Sequence, residues 1–318
     1  MTREELNQEI AFLSDTNTTK QISIYVTTAN DDIRLFNIVQ VDLDELLTRY
    51  LSLIDEIIIN REDLSIGNYS TSISRDNMIY LYDLGQEAYT KEMKNMVAAG
   101  TNMNPDLFVC DESSLEKIDG WYVVINDSQH RLVLYKQVIP VDITYGSKSY
   151  YFGCKHDNSI FERKKDSLIR VTPGIQMMYI DDRILLIDMK RLEKSLGLNA
   201  ILQKEANRII DMVSQKGFVE DTTKLKEVCK KPSLLKKLNH ALFESKTKDM
   251  SKDAILKYLK EESKVKFKFN EKEDMLLLDT KAASERFIKL LDDDYLYSKM
   301  TDTEYDSVQK DIFIQQED

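Results

Sequence analysis

Two groups of residues in this chain are of types that do chemistry. Asp181 and Asp182 end one strand-like run, MMYID, and Asp188-x-Lys190 closes the next, RILLIDMK. An acid on one strand beside an acid-x-Lys on its neighbour is the pattern of Mg²⁺-dependent nucleases, in which the acids hold the metal and the lysine orients water. The same residues have a plainer reading: two Asp between strands make a hairpin turn, and Asp188 stands where a helix MKRLEKSL takes its N-cap. The second group is cationic. From Lys224 to Lys268 there are 14 lysines against 6 acids, and Lys224, Lys226, Lys230, Lys231, Lys236, Lys237, Lys266 and Lys268 are the candidate contacts to a phosphate backbone. Their plainer reading is solvated helix surface that balances helix dipoles.

Charge distribution separates this block from the rest. The 318 residues carry a net −11, yet residues 154–270 hold 26 Lys+Arg against 17 Asp+Glu, while residues 1–153 hold 12 against 24 and residues 271–318 hold 6 against 14. A polyanion is repelled by such a chain unless one localised basic face meets it. Other chemistries lack their signatures. There is no G-x-G-x-x-G, no Walker loop and no G-x-S-x-G, and His130, His156 and His240 lie far apart. Cys154-x-His156 lacks the second ligand pair of a zinc site, so neither metal nor cofactor is expected. Three widely spaced cysteines, Cys110, Cys154 and Cys229, fit reduced thiols. The N-terminus MTREELNQEI has no apolar h-region and no run reaches 18 apolar residues, which points to a cytoplasmic protein.

The elements that must position these residues fall into an α+β arrangement. An amphipathic helix over Thr2 to Phe12 precedes strands QISIYVTT (21–28) and RLFNIVQV (34–41). A helix capped by Asp42 then leads to a strand over 78–84 and a helix KEMKNMVAAG closed by Gly100. From Gly120 the period becomes two. WYVVIN and RLVLYKQV flank the turn DSQH, and SYYFGCK, LIRVT, IQMMYID and RILLIDM continue as an antiparallel meander. Trp121, Tyr122, Tyr135, Tyr150 and Tyr151 fit a strand core better than a base-stacking platform. After Met189 the pattern is helical, with stops at Gly197 and Gly217. Pro232 starts one helix, Ser251 caps another, and VKFKF and MLLLD flank a hairpin before helix KAASERFIKLL. The expectation is an N-terminal mixed α/β part with a meander (1–190) and a helix-rich basic part (191–318) with a β-hairpin at 265–279, in winged-helix-like order. Lys266 and Lys268 alternate with Phe267 and Phe269, giving a basic face and a core face. The acidic run Asp292 to Asp294 ends a helix, meets a basic surface or holds a cation.

Three stretches, RLVLYKQV (131–138), MMYIDDRILLIDMKRLEKSLGL (177–198) and FIKLLDDDYLYSKMT (287–301), resemble the KwaB family, the soluble component of the two-gene Kiwa anti-phage defence system. The resemblance runs from about residue 20 to 305, and the ending DSVQKDIFIQQED departs from it. It implies a cytosolic bacterial protein that associates with itself, works with a small membrane-spanning partner, KwaA, binds DNA and suppresses phage replication or transcription. The family carries no catalytic residue over to this chain. Three readings therefore stand: a DNA-binding effector acting by occlusion, a Mg²⁺ nuclease built on Asp181 to Lys190, and a protein-binding adaptor whose lysines meet an acidic partner.

Overall fold

The central strands of the first two thirds of the chain are apolar at successive positions, and they assemble into a sheet buried on both faces. The computed structural model describes residues 1–27, 32–73, 75–101, 105–109, 118–139, 142–144, 151–155, 160–164, 168–263, 265–272, 274–298 and 303–306. The chain divides into two units, one of Met1–Gly67 and Arg75–Leu196, the other of Asn68–Ser74 and Gly197–Asp318.

In chain order the first unit contains α1 (Arg3–Ile10), β1 (Gln21–Thr27), β2 (Ile33–Leu35), α2 (Gln40–Ile54), β3 (Ser65–Asn68), β4 (Met78–Leu81), α3 (Lys91–Thr101), β5 (Gly120–Asn126) and β6 (Arg131–Gln137). It continues with β7 (Ile143–Thr144), β8 (Tyr151–Lys155), β9 (Ile160–Lys164), β10 (Leu168–Ile169), β11 (Met177–Ile180), β12 (Arg183–Leu186) and α4 (Met189–Ser195). Eight strands form one sheet in the order β2-β1-β5-β6-β11-β12-β4-β3, with antiparallel pairing from β2 through β4. Successive side chains point to opposite faces, so Trp121, Val123 and Ile125 of β5 join the core that also takes Tyr50 and Ile54 of α2. Tyr122 and Val124 turn to the other face, where Asn95 of α3 donates to the Tyr122 hydroxyl at 3.4 Å. Trp121, Tyr122 and Tyr135 are at most 1% exposed, which makes them core and leaves no platform for base stacking. Tyr150 lies outside the described residues.

Several expectations shift. The meander is interrupted: β11 pairs directly with β6, while β8 with β9 and β7 with β10 form separate two-stranded pieces. The run 34–41 is strand only to Leu35, because both backbone groups of Leu35 bond to Asp106 and Phe108 and the chain then leaves the sheet. Helix α2 starts at Gln40, with Asp42 in its first turn, where its charge suits the helix dipole. Gly100 does not stop α3. It lies inside the helix where a Cβ would stand 2.9 Å from the Tyr179 ring, so its role is close approach.

The second unit holds α5 (Leu198–Lys204), α6 (Ala206–Gln215), α7 (Thr223–Val228), α8 (Pro232–Phe243), α9 (Lys252–Glu261), β13 (Lys268–Phe269), β14 (Leu276–Leu277), α10 (Lys281–Leu291), β15 (Tyr295–Ser298) and β16 (Thr303–Asp306). Gly197 and Gly217 both take positive φ, +64° and +68°, as helix stops of this kind require. Pro232 occupies the first turn of α8, and the Ser251 and Thr280 hydroxyls accept from Ala254 and Ala283 to cap α9 and α10. The order helix, helix, hairpin, helix is therefore present, with strands of two residues and a loop closed by Asn270, whose side-chain oxygen accepts from Asp274 and Met275. Val219 adds a parallel bridge to Leu276. The segment Asn68–Ser74 packs in this unit, with Tyr69 fully buried. Among the described residues no helix is long and apolar enough to cross a membrane.

Candidate nucleic-acid interface

Neighbouring lysines repel one another, and the second unit places acids between three of them. Leu225 and Val228 bury one side of α7, which leaves Lys224, Glu227 and the exposed Lys226 on its outer side. Helix α10 packs against α7 and sets Lys281 and Glu285 one turn apart. Glu227 lies 3.0 Å from Lys224 and 2.8 Å from Lys281. Hydrogen bonds from Lys281 and Lys224 hold its carboxyl down to about 2 and raise the Lys281 ammonium. Lys231, at the N-cap of α8, reaches Glu285 at 2.9 Å. Two acids thus pair with three lysines, of which Lys231 and Lys281 are exposed and Lys224 is half-buried. Lys226 and Lys230 are exposed and make no ion pair among the described residues.

The hairpin joins this strip through α10. Arg286 lies over the Phe267 ring at 5.7 Å and Lys260 over Phe269 at 5.1 Å. Both phenyl rings are half-buried beneath cations, whereas the alternation suggested a core face; strands of two residues are too short to carry one. Lys266 and Lys268 are exposed, and Lys268 pairs with Asp279 at 2.5 Å.

Lys236 and Lys237 require a correction. They are 2% and 8% exposed, and in this arrangement neither ammonium is available to a phosphate. Residues Leu235 to Asn239 are buried in succession, so the middle of α8 is enclosed on all sides. The Lys236 ammonium sits 4.3 Å above the Tyr69 ring. Lys237 is hydrogen-bonded to Asp294 and lies 3.7 Å from Asp292. Asp292 also meets His240 Nδ1 at 2.5 Å, and the His240 Nε2 is 3.9 Å from Glu244. Glu244 accepts from Asn68 at 2.7 Å and Thr71 at 3.0 Å. The run Asp292 to Asp294 therefore ends α10 and clamps α8, and Asp293 adopts φ +57°.

The nuclease constellation is not brought together. Asp181 and Asp182 both take positive φ, 47° and 55°, as the central residues of a type I′ hairpin turn do. Asp182 accepts from the Tyr179 hydroxyl at 2.7 Å. Asp188 caps α4 by accepting from the Arg191 amide at 3.3 Å, and Lys190 pairs with Asp76 at 2.5 Å. The turn and the cap lie at opposite ends of β12, roughly 20 Å apart at about 3.3 Å per residue. Among the described residues no group of three His, Cys, Asp or Glu could hold a metal ion. Cys110 and His156 lie outside the described residues. Cys229 is buried and its thiol is pushed up to about 12 by desolvation, so it is no nucleophile.

A family model described as Kiwa protein KwaB-like matches residues 115–301, more than half of the chain. The chain belongs to the KwaB-like family. It is thereby a component of the Kiwa anti-phage defence system. The chain is 23% identical to the Kiwa protein KwaB of Escherichia coli O55:H7 (strain RM12579 / EPEC), over 98% of this chain and 99% of that protein. No solved structure matches it. The KwaB-like match spans β5 to β15 and includes every lysine of the strip. Of the residues in the strip, the sequence reading missed Lys281. The available signal was a lysine in the first turn of a helix capped by Thr280, where its charge opposes the helix dipole and calls for an acidic partner, here Glu227.

Proposed function

We propose that this KwaB-like protein binds DNA through the lysine strip of its second unit and obstructs phage replication or transcription by occupying the DNA, without catalysis of its own. The observation that carries this reading is the exposed set Lys226, Lys230, Lys231 and Lys281 with the half-buried Lys224 on α7, α10 and the start of α8, continued by Lys266 and Lys268 at the hairpin. Braced lysines contact phosphates at little ordering cost and read no base edges, so binding is salt-sensitive and indifferent to sequence. A membrane-protein partner, KwaA, would hold the protein at the inner face of the membrane, and self-association would place several strips along one duplex. The test is fluorescence anisotropy with a short duplex across a salt series with Mg²⁺ present, with a gel of the same samples. Affinity should fall with a log–log slope of about 0.9 per phosphate contacted, and the DNA should stay intact. Absence of binding at low salt would overturn the reading in favour of a protein adaptor, and Mg²⁺-dependent cleavage would overturn the non-catalytic part.

A further inference from the structure

The first unit has an open strand edge with a groove beside it. Strand β1 runs from Gln21 to Thr27, but β2 covers only Tyr25 to Thr27, and the last bond on that side is from the Phe36 amide to the Ile24 carbonyl at 2.8 Å. In an antiparallel pair the N–H and C=O of one residue point to the same side and alternate along the strand. Ile22 therefore presents both backbone groups on the side of Ile24, and among the described residues no strand lies opposite it. The chain that would have continued β2 instead diverges through Asn37 and Ile38 into α2, opening a groove of about 490 Å³ between β1 and the first turns of α2. That volume is typical of a ligand-binding cleft. Its apolar lining includes Ile22, Phe36, Ile38 and Leu43. Val39 and Val41, which flank the lining residue Gln40 in sequence, are each 64% exposed.

We propose that this groove docks an extended segment of a partner protein, rich in β-branched and basic residues, which adds to the β1 edge as a further strand. Backbone bonds to Ile22 supply the pairing, and alternate side chains enter the apolar lining. Charge selects the partner. Asp42, Asp44 and Glu45 are exposed on the first turns of α2, and residues 1–153 carry twice as many acids as bases. The one cation of the lining, Lys20, already donates to the carbonyls of Asp15 and Thr18. A second copy is the poorer occupant, because pairing two β1 edges about a two-fold axis would bring two acidic α2 turns together.

The probe is a fluorescein-labelled peptide of alternating Lys and Val, titrated into the full-length protein and read by anisotropy. Two further peptides carry N-methyl groups on alternate residues, one in each parity. Strand addition requires that one parity lose affinity at least tenfold while the other stays within about twofold, since only alternate amides face the edge. Asp44→Lys, at an exposed position, should weaken the unmethylated peptide several-fold with no change in circular dichroism. Equal binding of the two methylated peptides, or no binding of the parent, overturns the proposal. So does sedimentation showing a self-associated protein that the peptide dissociates, which would give the edge to a second copy.

Discussion

Lys237 and Lys230 lie seven positions apart in the same basic run and should behave oppositely. The Lys237 ammonium is bonded to Asp294, whose side chain is 1% exposed, and Lys237→Met removes that cation from a buried carboxylate. Breaking one side of a buried pair costs about 3–5 kcal/mol. At a urea m-value of about 2 kcal/mol/M this lowers the unfolding midpoint by roughly 2 M. Lys237→Met combined with Asp294→Leu removes both charges and should recover most of the loss, because apolar replacements of a buried pair are often neutral or better. Lys230→Glu, at an exposed position, should leave the unfolding free energy within about 0.5 kcal/mol and reduce the salt slope of DNA binding by about one. The assay is urea unfolding followed by circular dichroism, with anisotropy on the folded variants. A loss under about 1 kcal/mol for Lys237→Met, or no recovery in the double variant, would refute the reasoning that the pair is desolvated.

Gly120→Ala should destabilise by about 1–3 kcal/mol, since a Cβ there would stand 2.4 Å from Cε2 of Tyr135, itself 1% exposed; thermal unfolding checks this, and a neutral result would mean the ring moves freely. The Cys229 thiol, pushed up to about 12, should resist iodoacetamide at pH 8 in the native protein and react in urea, as peptide mass spectrometry on that residue would report. The Glu227 carboxyl sits at about 2 against its ordinary 4.5. A folded value below the unfolded one means that its contribution is present above about pH 4.5 and is lost as pH falls toward 2. The stability difference between the parent and Glu227→Gln should therefore shrink across that window, and a constant difference in acid titrations would deny the triad any role.

What could be read from the sequence depended on how local the determining contacts are. The hairpin of β5 and β6 and that of β11 and β12 announce themselves by period two and polar turn residues, and Pro232 and Ser251 mark helix starts because caps are decided within three residues. Strand β3, SIGN, has no alternation and is a strand because of its place at the sheet edge, where the Ser65 amide bonds to the Asn77 carbonyl at 3.0 Å. The lysine strip was legible in composition, and its membership was not. Lys236 and Lys237 look like their neighbours Lys230 and Lys231, and only acids more than fifty residues away, Asp292 and Asp294, draw Lys237 inward. Asp188-x-Lys190 resembled a metal motif because a helix cap and a metal ligand both call for Asp at a strand end.

The segment Asn68–Ser74 imposes an order on folding during synthesis. It leaves the ribosome early, yet the helix that receives it comes much later: the Ser70 carbonyl accepts from Asn239, 169 residues downstream. At about 5–20 residues per second, Tyr69 and its neighbours wait roughly ten to thirty seconds for their partners to be translated. The segment between β3 and β4 thus stays unsettled until α8 emerges, and a chain truncated before α8 cannot complete the packing of that segment.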